Sequence, residues 1–305
     1  MSNSIISPEI CVVADTAAVW DEGARRFAAA AREAVANRGR FMVALSGGST
    51  PEGLYRELAS RHTTAAPGTT SDPLNVPWSQ THIFFGDERY VPHDDPQSNY
   101  RMAREALLDH VPVPPNQVHP MPTDATDPNA AAAAYEQTVI EIFNTSHPAR
   151  KGPAEGKDSG PSTQYPVPST QYSVLSTQHA PPNTQSVLNT RVPRFDLILL
   201  GLGPDGHTAS LFPGTDAVHE EQRLVVAPWV EKFETFRLTV TPPVLCYARA
   251  VLFLISGGAK ADTLRDVLEG PYDPARLPSQ VVRPVDGRLT WLVDVAAAAN
   301  LSRTH

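Results

Sequence analysis

Four short runs of nearly uninterrupted apolar residues, Phe41-Met-Val-Ala-Leu45, His82-Ile-Phe-Phe85, Phe195-Asp-Leu-Ile-Leu-Leu200 and Ala250-Val-Leu-Phe-Leu-Ile255, each give way to a glycine-bearing loop. A strand with one face in water alternates apolar and polar residues. These runs do not, so both of their faces must be covered. Segments with helical spacing lie between them. Val19, Trp20, Ala24, Phe27, Ala28, Ala31 and Val35 mark a helix from about Ala17 to Ala36. Pro51 is placed to open a second that ends near Arg61. Further helices are expected at about Ser98 to Leu108, Asn129 to Phe143 and Gly258 to Leu268, and shorter strands at Ile10 to Val13, Leu224 to Ala227, Phe236 to Val240 and Trp291 to Val293. This alternation predicts an α/β fold with an open, mostly parallel sheet covered on both faces.

One stretch breaks the pattern. From about Thr145 to Arg194 the chain is rich in Pro, Ser, Thr, Gln and Gly, and STQYPVP, STQYSVL, STQHAPP and NTQSVLN repeat every seven residues from Ser162 to Asn189. The prolines and the lack of a kept apolar pair exclude a coiled coil. Such a composition buries too little to fold, so a solvated insertion at about 145–194 is expected within a single domain spanning 1–305, with a partner-binding tether as the alternative reading of the repeats. A shorter surface loop is expected at 63–78. The formal charge of −8 and the absence of a Lys/Arg run argue against a nucleic-acid partner. No apolar run approaches the roughly 18 residues of a membrane span. With two cysteines, Cys11 and Cys246, and no leader-like start, a cytoplasmic setting is expected.

The residues that carry chemistry follow the apolar runs. GLGPDGHTASLFPG, Gly201 to Gly214, begins with the spacing G-x-G-x-x-G. A dinucleotide site needs those glycines to lead into a long helix, which Pro213-Gly214 would stop, and Asp205 would set a negative charge near the pyrophosphate. The alternative is that the loop carries His207 to the carboxyl end of a strand, where it can act as a general base oriented by Asp205 or another carboxylate. A lone histidine there also fits a plain helix start satisfying its own backbone. Ser46-Gly-Gly-Ser-Thr-Pro51 lacks the lysine of a nucleotide-binding loop and the final glycine of a nucleophile elbow. Its amides and hydroxyls suit a single phosphate group, or an ordinary helix start. In Gly86-Asp87-Glu88-Arg89, Arg89 can clamp phosphate and Asp87 can accept sugar hydroxyls, or the triplet is a solvated turn. Arg237 and Lys260 are further cation candidates. No metal-binding spacing occurs.

Taken together, LSGGSTP, FFGDERYVP followed by QSNYRMAREALL, and GLGPDGHTASLFPG resemble the 6-phosphogluconolactonase family. FRLTVTPPVL, the Gly-Gly-Ala-Lys260 turn and TWLVDVAAA extend the resemblance over nearly the whole chain outside 145–194 and 63–78. It implies a Rossmann-like three-layer α/β/α sandwich and hydrolysis of 6-phospho-D-glucono-1,5-lactone without metal or cofactor. The catalytic residues it implies are His207, Asp205 and Arg89. Gly47, Gly48, Ser49, Thr50, Asp87, Asn99, Arg237 and Lys260 would bind substrate. The implied partner is a small phosphorylated sugar lactone, and the implied assembly a monomer or small homo-oligomer. Related glucosamine-6-phosphate deaminases carry HIAFNEP where this chain has His207-Thr-Ala-Ser-Leu-Phe-Pro213, which favours the lactonase branch. An amino-sugar-phosphate deaminase or isomerase and a non-catalytic sugar-phosphate sensor stand as alternatives.

Overall fold

The computed structural model describes residues 8–63, 74–145 and 192–302. The seven-residue repeats and the bulk of the expected insertion lie outside them. In chain order the elements are β1 (Glu9–Val13), α1 (Thr16–Arg38), β2 (Phe41–Leu45), α2 (Ser49–Thr63), β3 (Thr81–Phe85), β4 (Asp87–Arg89), α3 (Asn99–Ala106), α4 (Pro128–Asn144), β5 (Leu197–Leu200), β6 (Val225–Val226), β7 (Trp229–Val230), β8 (Thr235–Val240), α5 (Pro242–Tyr247), β9 (Ala250–Ile255), α6 (Ala261–Glu269) and β10 (Arg288–Asp294).

Local chemistry sets the ends of α1. Asp15 accepts the Ala18 N–H at 2.9 Å, and Gly39 closes the helix at φ 76°, a conformation a Cβ resists. Val19, Ala24, Phe27, Ala28 and Ala31 bury one face completely. At Gly23 a Cβ would stand 3.2 Å from Leu54 of α2 and 3.3 Å from Leu254 of β9, so the missing side chain lets α1 settle on both.

Six strands make one all-parallel sheet in the order β1-β10-β9-β5-β2-β3. Every residue of β2 and β5 is buried, which requires cover on both faces and gives the three-layer α/β/α arrangement. The chain continues from β2 to β3 on one side, whereas β5 is extended on its other side by β9. Neighbouring strands whose continuations diverge leave a crevice at their carboxyl ends, the place where open parallel sheets bind ligands.

Three expectations are corrected. The glycine-bearing loop expected after Phe85 contains β4, because β8 pairs with it antiparallel, with Asp87 opposite Thr239, Glu88 opposite Leu238 and Arg89 opposite Arg237. A three-residue strand whose partner lies far along the chain leaves no local periodicity to read. Of the expected surface loop at 63–78, Thr63 ends α2, and Leu74, Val76 and Trp78 are buried, Trp78 with its ring centroid 5.9 Å from that of Phe27. At the far end of the expected insertion Val192 is buried as well.

The flanks of that insertion sit at the amino-terminal edge of the sheet. Arg40, just before β2, donates to the carbonyls of Ile142 and Phe143 at 3.0 Å each, tying down the end of α4. Asp196, just before β5, donates its N–H to Met42 O at 2.9 Å. Both attachments are on the edge opposite the crevice. Deletion of residues 150–190 is therefore expected to leave kcat and KM within about twofold, since shortening a connection between fixed ends changes closure entropy only slightly. Steady-state kinetics and size-exclusion chromatography check this; a collapse of activity or a change of oligomeric size overturns it.

On β3, His82 Nδ1 lies 3.2 Å from His119 Nε2, and the His119 ring centroid is 4.5 Å from that of Phe84. Burial pulls both imidazoles down, His119 to about 4 with help from His82, and Arg40 adds to the effect on His82. The folded state thus holds them neutral while the unfolded chain binds protons below about pH 6.5. Stability contributed by the pair is intact above that value and is lost as the pH falls towards 4. Urea titrations should show unfolding free energy about 1–2 kcal/mol lower at pH 4.5 than at pH 7 from this source, a figure discounted for solvent screening. The pH dependence should shrink in His119→Gln; an unchanged dependence would remove the pair as its origin.

Candidate active site

The adjacent strands β3, β2, β5 and β9 each end in a loop on the same edge of the sheet, and these loops line one cleft. The loop after β2 is clamped from its own helix. The Tyr55 hydroxyl donates to Ser46 O at 2.8 Å and accepts the Ser46 N–H at 3.0 Å, and burial drives its ionisation far above the normal range. Gly48 takes φ 105°, which side chains avoid. Gly47 is required for another reason: a Cβ there would fall 1.9 Å from Asn99 Oδ1. Thr50 Oγ1 meets Ser256 Oγ at 2.9 Å, joining this loop to the one after β9.

Past β3, the buried Glu88 carboxylate organises the start of α3. It accepts the N–H groups of Asn99, Tyr100 and Arg89 at 2.7, 2.8 and 2.8 Å and the Ser98 hydroxyl at 3.1 Å. Burial raises its proton affinity and these backbone N–H groups oppose the rise. Asn99 is thereby fixed so that its amide donates to Asp87 O at 2.9 Å while its Oδ1 accepts from Arg89 Nη1. Arg89 also donates to Gln97 O at 2.9 Å, and among the described residues no carboxylate pairs with it. Asp87 Oδ2 accepts the Ser210 hydroxyl at 2.7 Å, tying this strand to the loop after β5.

That loop is a tight turn rather than a helix start. The Gly203 N–H donates to His207 O at 2.8 Å and the Gly206 N–H to Gly203 O at 3.1 Å, so these amides serve the turn and are not turned to a pyrophosphate. Gly206 adopts φ 78°, and a Cβ on Gly203 would overlap the imidazole of His207, 1.9 Å from Nδ1. His207 Nδ1 donates to Asp205 Oδ1. That bond leaves Nε2 as the lone-pair nitrogen, with no protein partner among the described residues. The His207 bond and the Lys232 ammonium at 3.1 Å hold the Asp205 carboxylate ionised, well below the usual carboxylate range. The face of Phe212 stacks on the imidazole at 4.2 Å. Ala209, in the same loop, sits at φ 47°, a conformation that costs a non-glycine residue about 1 kcal/mol or more.

After β9 the chain turns at Gly257, φ 89°, whose N–H donates to Asp294 Oδ2 at 3.0 Å, and delivers Lys260 to the cleft. Burial pulls the Lys260 ammonium down, with Asp205 opposing.

The structure therefore brings His207, Arg89, Asp87, Gly47, Gly48, Ser49, Thr50 and Lys260 to one cleft. Asp205 stands behind His207, and Asn99 stands between Gly47 and Arg89. Arg237 does not line the cleft. It lies beside Arg89 across the β4–β8 ladder, with its guanidinium 5.1 Å over the Phe233 ring and Nε buried without a hydrogen bond among the described residues. Burial and the neighbouring Arg89 lower its proton affinity. Glu88, Ser210, Phe212 and Lys232 were not singled out in the sequence. Glu88 stood in the GDER triplet and Ser210 and Phe212 in the HTASLFP stretch, whereas Lys232 carries no local signal. Among the described residues no three His, Cys, Asp or Glu side chains converge as a metal site, and no helix is long and apolar enough to cross a membrane.

Residues 14–155 and 157–291 match the family described as glucosamine-6-phosphate isomerases/6-phosphogluconolactonase. The chain belongs to this family. Relatives within the family include the 6-phosphogluconolactonase of Synechocystis sp., 37% identical over 269 residues that make up 88% of each chain. The 6-phosphogluconolactonase of Mycobacterium leprae is 33% identical over 301 residues, 97% of this chain and 99% of its own. Among solved structures, the 6-phosphogluconolactonase from Trypanosoma cruzi superposes with a TM-score of 0.71 at 27% identity, covering 97% of this chain and 98% of its own. A monomeric glucosamine-6-phosphate deaminase, at 20% identity and a TM-score of 0.68, shares the fold.

Proposed function

We propose that this chain hydrolyses 6-phospho-D-glucono-1,5-lactone to 6-phosphogluconate, the lactone-opening step of the oxidative pentose phosphate pathway, in the cytoplasm and without metal or organic cofactor. The observation that carries the reading is the His207–Asp205 pair facing the Gly47–Thr50 loop and Lys260 across one cleft. The loop amides and the Lys260 ammonium suit a phosphate dianion, each charge-assisted bond being worth about 1.5–3 kcal/mol. Arg237, next to Arg89, adds positive potential from behind. With the phosphate held there, the lactone carbonyl falls towards His207. Nε2 takes a proton from water as its oxygen bonds to C1, and Arg89 stabilises the oxyanion that forms. The C1–ring-oxygen bond then breaks, and the ring oxygen receives the proton from Nε2 to become the C5 hydroxyl. Asp205 keeps the imidazole in the required tautomer and stabilises the imidazolium between the two transfers.

Freshly generated lactone, followed by acid release above the spontaneous rate, tests the reading. Glucosamine 6-phosphate, followed by ammonia release, is the control. Turnover of the lactone alone is expected. Ammonia release would move the chain to the deaminase branch, and binding of 6-phosphogluconate without lactone turnover would make it a sensor.

A further inference from the structure

The hairpin joining β7 to β8 touches the His207–Asp205 pair from two sides. Lys232 Nζ donates to Asp205 Oδ2 at 3.1 Å, while Oδ1 of the same carboxylate accepts from His207 Nδ1. Its neighbour Phe233 meets Phe212 edge-on, with centroids 5.7 Å apart and planes at 73°, and Phe212 stacks on the imidazole at 4.2 Å. Phe233 is 45% exposed, so burial alone does not account for its place. It is held from below by Arg237 at 5.1 Å and flanked by Lys232 at 5.5 Å. The tip closes through Glu234 at φ 49°, a backbone conformation uncommon outside glycine.

We infer that Lys232 and Phe233 are positioning residues that clasp the catalytic pair: Lys232 acts through Asp205 and Phe233 through Phe212. The inference rests on the reading of His207 as the base. Asp205 makes two different bonds with its two oxygens. A carboxylate tied at both cannot rotate away from Nδ1, and its charge is shared between a cation and the imidazole. Phe212, wedged between Phe233 and the ring, fixes the imidazole plane. The charged groups around His207 are Asp205 on its own loop, Lys232 on the hairpin, Lys260 after β9 and Arg89 on β4 across the cleft. Removing Lys232 takes away the cation that offsets Asp205 and favours the imidazolium.

The test uses the full chain with Lys232→Met, Lys232→Arg and Phe233→Ala, each also made in a His207→Asn background. Lys232→Met is expected to lower kcat about 3- to 10-fold at pH 7 with KM within twofold, and to move the acid limb of the kcat/KM profile up by about half a pH unit, the size expected for one screened charge at this range. Lys232→Arg should restore most of the rate. Phe233→Ala should lower kcat about 2- to 5-fold. None of the three variants should change the residual rate of His207→Asn, because the effect runs through the imidazole. Nitrogen-15 NMR of the histidine rings, in the absence of any substrate, should show the His207 titration displaced in Lys232→Met. Wild-type kinetics and an unmoved His207 titration in that variant would overturn the clasp, as would a raised KM with unchanged kcat, which would make Lys232 a substrate contact. If the wild-type protein turns over no lactone, the lactonase reading fails while the NMR titration still decides the clasp.

Discussion

His207→Asn is expected to lower kcat for 6-phosphogluconolactone by about 10²- to 10⁴-fold, the usual worth of a positioned general base. KM should stay within a few-fold, because the groups proposed to hold the phosphate lie on other loops: Gly47–Thr50 after β2 and Lys260 after β9. Asparagine keeps a donor that can still reach Asp205 and places no lone pair of suitable basicity at the Nε2 position, so the turn closed by the Gly203 N–H on residue 207 O can persist. The lactone opens spontaneously in water, so initial rates must be read against a protein-free blank. Unchanged circular dichroism and melting temperature would assign the loss to chemistry rather than folding. A variant retaining more than about a tenth of wild-type kcat would remove His207 from the base role, since general-base catalysis is typically worth about 10²-fold or more. Asp205→Asn should cost less and should add little to His207→Asn, because Asp205 acts through the imidazole to which it is bonded.

The parallel sheet was legible because burial on both faces leaves an unbroken apolar run, and β2, β3, β5 and β9 each showed one. The loops after them were legible for a related reason: a glycine where no side chain fits stands out among bulky neighbours. What stayed hidden was set by partners distant in the chain. Asp87–Arg89 pairs as a strand only because β8, some 150 residues on, lies beside it. Lys232 is an ordinary exposed cation until the hairpin folds its ammonium onto Asp205. Arg237 shows the converse. Its place in the motif FRLTV suggested a cleft residue, yet its guanidinium packs over Phe233 and flanks Arg89, a placement set by the β7–β8 hairpin and the β4–β8 pairing rather than by any local pattern. Glu88 fits neither alternative open for its triplet, a ligand clamp or a solvated turn: it is buried and holds the first turn of α3.

Gly47→Ala is expected to lower kcat/KM about 10- to 100-fold, although the residue has no side chain to contribute. The added Cβ would lie 1.9 Å from Asn99 Oδ1 and 2.9 Å from Nδ2, so either the loop or Asn99 must move. Asn99 is not free to yield. Its amide is bonded to Asp87 O at 2.9 Å, and its own N–H is held by the buried Glu88 at 2.7 Å. If Asn99 moves, Arg89 loses an acceptor of its guanidinium; if the loop moves, the amides proposed to hold the phosphate shift. Either route forfeits roughly one charge-assisted bond, about 1.5–3 kcal/mol, which is the stated range in kcat/KM. Leaving Asp87 O and the amide unpaired should also reduce stability by about 1–3 kcal/mol. The double variant Gly47→Ala/Asn99→Ala separates the two consequences. Shortening residue 99 removes the collision, so much of the melting temperature should return. Arg89 would still lack that acceptor, so kcat/KM should not. Recovery of activity in the double variant would mean that Asn99 merely fills space beside Gly47; wild-type kcat/KM in Gly47→Ala alone would mean that this loop does not carry the phosphate.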